Sequence, residues 1–84
     1  MDKHRKLLNY ILMKKGDANV PFMELCKLLC HMGFIERIKG DHHIFTLNTI
    51  EEIINIQPLG SKAKSYQVKQ IRDIILRYGL KGKE

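Results

Sequence analysis

Phe34-Ile35-Glu36-Arg37-Ile38-Lys39-Gly40-Asp41-His42-His43-Ile44-Phe45-Thr46-Leu47 is the stretch whose periodicity decides the fold. Phe34, Glu36 and Ile38 alternate with Ile35, Arg37 and Lys39, Gly40-Asp41 supplies hairpin-turn chemistry, and His42 to Leu47 resumes an extended pattern. Two strands paired antiparallel follow, and the second begins with two adjacent imidazoles.

Upstream the period is helical. Leu25, Leu28, Leu29 and Met32 form one apolar stripe of a helix that runs to about His31 or Met32, and Gly33 sits where a left-handed stop is wanted. Asn19, two residues before Pro21, suits a cap followed by a proline in the first turn. Gly16 to Asn19 is turn chemistry, and before it Leu7, Leu8, Ile11 and Leu12 make the stripe of a helix over Lys3 to Lys15. Downstream, Leu47-Asn48-Thr49 turns the chain, and Glu52 to Gln57 reads as a third strand with Ile54 and Ile56 on one face and Ile53 on the other. Pro58-Leu59-Gly60-Ser61 then breaks the sheet. From Tyr66 the helical period returns through Val68, Ile71, Ile74 or Ile75 and Tyr78, closing at Gly79. The order helix, helix, three strands, helix predicts an α+β fold: a three-stranded antiparallel sheet with helices on one face.

With 84 residues the chain makes one domain, close to the size at which a dimer or partner adds useful burial. Hydrophobic residues at 44% and charged residues at 29% predict a folded protein. No run reaches the roughly 18 apolar residues of a membrane span. The apolar segment Leu7 to Met13 is too short and polar for a signal peptide, so a cytoplasmic protein without membrane contact is expected. Cys26 and Cys30, four apart on a helix, fit neither a C-x-x-C redox motif nor a complete zinc site and read as two small buried hydrophobes. Nucleophile-elbow, P-loop, H-E-x-x-H and dinucleotide motifs are absent from the sequence. Glu51 and Glu52 would face opposite ways on a strand, so neither a metal nor a cofactor is expected.

The charge is unevenly placed. Of the net +6, residues 61 to 84 carry +5, with Lys62, Lys64, Lys69, Arg72, Arg77, Lys81 and Lys83 against Asp73 and Glu84. Such asymmetry fits phosphate contact; a merely solubilising basic tail is the alternative.

Strand alternation separates the histidines. His42 shares a face with Ile44 and Thr46, and His43 with Phe45 and Leu47, whose bulk marks the core side. His42 is then the solvent-facing candidate for proton transfer and His43 a structural or supporting residue, although a bulge beside Gly40 would reverse the order. RNA carries its own nucleophile, the 2′-hydroxyl, so a histidine general base with cations for the phosphoryl charge suffices without a metal. The candidate cations are Arg37 and Lys39 on the neighbouring strand, Lys62 and Lys64 in the loop, and Lys69 and Arg72, three apart on an exposed face of the last helix.

Gly40-Asp41-His42-His43-Ile44-Phe45 resembles the HicA family of toxins. So do the helix ending Leu-Cys-His-Met-Gly-Phe before it, and Asn55-Ile56-Gln57-Pro58 with Lys62-Ala63-Lys64-Ser65-Tyr66-Gln67-Val68-Lys69-Gln70-Ile71-Arg72 after it. The resemblance covers about Phe22 to Leu80. It implies a double-stranded-RNA-binding-like domain over residues 19 to 84, with residues 1 to 18 as an additional helix and turn. It also implies a metal-independent ribonuclease acting on messenger RNA and held inactive by a HicB-type antitoxin. The family's catalytic histidine carries over onto His42, and His43 matches a position that is often histidine. Asp41 stands where the family usually has a small hydroxyl; this carboxylate can hold a histidine in one tautomer, raise its pKa, or repel phosphate. Ser65 stands where relatives often have proline. A homodimer and a toxin–antitoxin hetero-oligomer both stay open, as do two other classes of function: a non-catalytic RNA-binding module using the same surface, and an interaction protein whose basic helix meets an acidic partner.

Overall fold

The computed structural model of the chain describes residues 2–80. Two helices precede the sheet, α1 (Lys3–Leu12) and α2 (Phe22–His31), joined through a short 3-10 turn at Asp17–Asn19. α2 stops where Gly33 takes φ +106° and the Phe34 amide folds back onto the Leu29 carbonyl at 3.1 Å, a left-handed exit that a side chain at this position would strain. β1 (Ile35–Lys39) and β2 (His42–Thr46) follow, joined by Gly40-Asp41 with Gly40 at φ +64°, the pattern of a type II′ hairpin. β3 (Ile54–Ile56) adds to the other side of β2, so β2 is the central strand of an antiparallel sheet. α3 (Ser65–Tyr78) closes the chain as the helical period predicted.

The register fixes the two faces, because directly opposed residues in an antiparallel pair point the same way. Ile38, His43 and Ile56 lie opposite one another, as do Glu36, Phe45 and Ile54, and this face turns toward the helices. Phe45, Ile54 and Ile56 are fully buried there against Leu25, Leu28 and Leu29 of α2 and Val68 and Ile71 of α3. Ile11 of α1 joins the same cluster, which gives that helix a core role. The other face of the sheet carries Arg37, Lys39, His42, Thr46 and Asn55, all exposed. This is the predicted α+β layout, and it is consistent with the double-stranded-RNA-binding type.

Four local expectations are corrected. α1 ends at Leu12 instead of Lys15, because Lys14 leaves the helical region at φ +56°. Asn19 belongs to the 3-10 turn and Pro21 occupies the cap position of α2, with no side-chain cap. The third strand shrinks to Ile54–Ile56, since Glu52 is drawn away to Arg77 and the Tyr78 hydroxyl at the end of α3. Pro58 to Ser61 does more than break the sheet: β4 (Pro58–Leu59) and β5 (Lys62–Ala63) form a small hairpin. That hairpin satisfies backbone groups at the start of α2, with Phe22 N donating to Ser61 O at 2.9 Å and Ala63 N to Val20 O at 2.9 Å. Among the described residues, no helix is long and apolar enough to cross a membrane.

Candidate active site on the open face of the sheet

His42 opens the central strand directly after the hairpin turn, with its side chain about half exposed at 47%. Two neighbours on the same face hold its ring. Asn55 Oδ1 on β3 lies 3.0 Å from Nδ1, and the Gln57 amide nitrogen lies 2.9 Å from Nε2. An amide oxygen only accepts and an amide NH₂ only donates, so this arrangement selects the tautomer with hydrogen on Nδ1 and the lone pair on Nε2. The Gln57 oxygen in turn accepts from Lys64 Nζ at 3.2 Å, and its NH₂ also reaches Asp41 Oδ1 at 3.4 Å. Asp41 Oδ1 stands 3.9 Å from Nε2, close enough to pair with an imidazolium.

Of the predicted cations, the structure gathers Lys39, Arg37 and Lys64 around this histidine. Lys39 is directly opposite His42 and Arg37 opposite Ile44, so both share the open face, and Lys64 arrives at the start of α3 through Gln57. Lys62 is exposed on β5. Lys69 lines a shallow groove of about 330 Å³ along α3 with Glu52, Tyr66, Asp73 and Arg77. Lys81 and Lys83, which contribute to the basic C-terminal balance, lie outside the described residues.

Arg72 is a correction. It does not lie on an exposed face beside Lys69 but is buried, with only 4% of its surface exposed. Its guanidinium makes a two-pronged pair with Asp17, Nη1 to Oδ1 at 2.8 Å and Nη2 to Oδ2 at 3.0 Å, and Nη1 also donates to the Ile11 carbonyl at 3.1 Å near the end of α1. Arg72 therefore joins α3 to α1 and the 3-10 turn and is not available to RNA. The same hydrogen bonds hold the Asp17 carboxyl below its ordinary range and raise the guanidinium further.

His43 points the other way, as alternation predicted, and its side chain is only 15% exposed. Its Nδ1 sits 2.8 Å from Glu36 Oε2 and 3.9 Å from Cys26 Sγ, and Phe22 packs against the ring edge-on with centroids 4.8 Å apart. Because thiol and carboxylate approach the same nitrogen, the imidazole does not relay a proton from one to the other. Burial first, and the Glu36 charge second, push the Cys26 thiol up to about 12, so it stays protonated and is no nucleophile. The expectation of two buried cysteines holds for Cys26 only; Cys30 is exposed and donates to Glu36 Oε1 at 3.8 Å.

The sequence reading did not single out Asn55 and Gln57 as partners of His42, nor Glu36 as the partner of His43. For the first two a signal existed, since they alternate with the buried Ile54 and Ile56 and so had to share the open face with His42. A family model described as "HicA toxin of bacterial toxin-antitoxin" matches residues 22–79. No curated protein and no solved structure matches the chain. The matched segment takes in α2, the whole three-stranded sheet with His42, and α3, well over half of the sequence, and the chain belongs to the HicA toxin family.

Proposed function

We propose that this toxin is a metal-independent endoribonuclease acting on messenger RNA, with His42 as the general base. The proposal rests on the placement of His42: an accessible imidazole on the open face of the central strand, its Nε2 lone pair met by the exchangeable Gln57 amide and its Nδ1 hydrogen held by Asn55. A ribose 2′-hydroxyl that displaces the Gln57 amide meets Nε2 and gives up its proton there. The 2′-oxygen attacks the adjacent phosphorus, the bond to the 5′-oxygen breaks, and the departing oxygen takes a proton from solvent. Asn55 Oδ1 keeps the imidazolium oriented as it forms, and Lys39, Arg37 and Lys64 face the charge that builds on the phosphoryl oxygens. His43, on the opposite face, supports the strand and touches no substrate. Membership of the family supports an antitoxin partner, and we assign that role to a HicB-type protein that covers the open face.

The deciding experiment incubates the purified chain with single-stranded RNA in EDTA. Cleavage by the wild type and its loss in His42→Ala are expected. RNA binding without cleavage would instead make the protein a binding module, and equal cleavage by His42→Ala would remove His42 from the mechanism.

The cations have a separate signature. Removal of one phosphate contact from a single strand reduces the slope of log affinity against log salt by about 0.7. Arg37→Ala, Lys39→Ala and Lys64→Ala are each expected to show that reduction in a titration across salt concentrations. An unchanged slope in all three would place the RNA elsewhere on the surface.

A further inference from the structure

On the helix-facing side of the sheet, behind His42, three chain segments bring together side chains that share one preference. Cys26 of α2, Glu36 of β1 and His43 of β2 present Sγ, a carboxylate oxygen and Nδ1 that all lie within 4.8 Å of one another. Cys30, one turn after Cys26 on the same helix, stands 3.8 Å from Glu36 Oε1 on the cluster's outer side. A groove of about 550 Å³ opens onto the group from solvent, with His4 and His31 stacked at 4.4 Å on its wall. We propose that Cys26, Glu36 and His43, with Cys30 as the fourth donor, form a structural site for a thiophilic divalent cation, of which Zn²⁺ is the best fit.

The chemistry of the donors selects the ion. Two sulfurs, one imidazole nitrogen and one carboxylate oxygen suit Zn²⁺ and are poor ligands for Mg²⁺ or Ca²⁺, which take oxygen. The geometry is close to what is required. Tetrahedral Zn²⁺ with ordinary bond lengths holds its ligand atoms about 3.3–3.8 Å apart. The Cys26–His43 separation is 3.9 Å, the Glu36–His43 separation 2.8 Å and the three donors lie within 4.8 Å of one another, so an ion would open the Glu36–His43 hydrogen bond by roughly half an ångström and draw the cysteine sulfurs in. Cysteines four apart on a helix share a face and can close on one ion. The plane of His43 is already set by Phe22. A divalent charge at the centre would stabilise both sulfurs as thiolates beside the Glu36 carboxylate.

On binding, bonds form from the metal to both sulfurs, to His43 Nδ1 and to a Glu36 oxygen. The two thiol protons leave to solvent and the imidazole proton moves to Nε2, so no oxidant or reductant is involved. The ion would tie α2 to β1 and β2 from behind, leaving the open face and its metal-independent chemistry untouched.

The test uses the full chain under reducing conditions. Zinc titration should give one ion per chain and raise the melting midpoint, and Co²⁺ in its place should give the near-ultraviolet charge-transfer band of thiolate ligation. Cys26→Ser and Glu36→Gln should weaken Zn²⁺ at least 100-fold and Cys30→Ser at least tenfold, while His42→Ala leaves Zn²⁺ affinity unchanged. No thiolate band in wild-type protein overturns the proposal even if a cysteine variant fails to fold. Zinc affinity unchanged across Cys26→Ser, Cys30→Ser and Glu36→Gln overturns it equally, because the ion would then sit on surface histidines. Neither outcome bears on RNA cleavage in EDTA, which is measured below the melting midpoint and reports on His42 alone.

Discussion

His42→Ala is expected to lower RNA cleavage by about 10²–10⁴-fold, the usual contribution of a positioned general base. The fold should barely notice. The ring is about half exposed and its partners Asn55 and Gln57 are accessible enough to bond water, so the melting midpoint should stay within the small range typical of surface substitutions. This separation of activity from stability is what distinguishes a general base from a packing residue. A base works only when unprotonated, so any acid limb in the wild-type pH–rate profile should be missing from the residual rate of the variant. Asn55→Ala offers a graded companion. With no acceptor on Nδ1 the ring loses its fixed tautomer, and a smaller loss, mainly in kcat, is expected. A His42→Ala protein that cuts RNA at the wild-type rate, or one that is unfolded by circular dichroism, would remove the assignment.

Arg72→Ala carries the largest expected cost in stability, about 3 kcal/mol, because it removes a buried guanidinium from the part-buried Asp17 carboxylate and a backbone carbonyl together. Two acceptors lose their donor at once, the Asp17 carboxylate and the Ile11 carbonyl. In a domain of this size the melting midpoint should drop by on the order of 10–20 °C. Arg72→Lys keeps the charge but not the planar fork and should recover only part of the loss. The pair also sets an acid limit. The Asp17 carboxyl is depressed below its ordinary value of 3.8, so its contribution is complete above about pH 4 and disappears as pH falls through the depressed value. Denaturant titrations of wild type and Asp17→Asn across the acid range should converge as pH falls. If instead Arg72→Ala melts like wild type and loses RNA affinity, Arg72 is a surface contact and the buried pair is not formed.

The two residues differ in how far the sequence could carry them. The change from a period of 3.6 to a period of 2 at Gly33, with a glycine turn at Gly40, is a local property of the chain. The same holds for the sides taken by His42 and His43, since neighbours on a strand must point oppositely. The family match over residues 22–79 agrees with the resemblance read from the histidine turn and the last helix. For Arg72, charge alone suggests exposure. Its position contradicts that: Arg72 is four residues after Val68 and three before Ile75, both buried, so it falls on the inward stripe of α3. Helical spacing shows the direction of a side chain, but only the partner shows how a charge is tolerated there.

That partner, Asp17, is 55 residues away in sequence, on a turn whose position depends on α1 packing into the common core. The cluster of Cys26, Glu36 and His43 has the same origin. Each residue alone looks ordinary, and its meaning appears when α2 is laid across the inner face of β1 and β2. Periodicity, turn chemistry and the two histidine directions are written in neighbouring residues, and the sequence by itself determined them. The buried ion pair, the approach of Lys64 to His42 through Gln57 and the thiol–carboxylate–imidazole cluster join segments far apart in the chain. Only the tertiary structure decided those, because a partner brought by long-range packing leaves no periodic trace in the residues beside it.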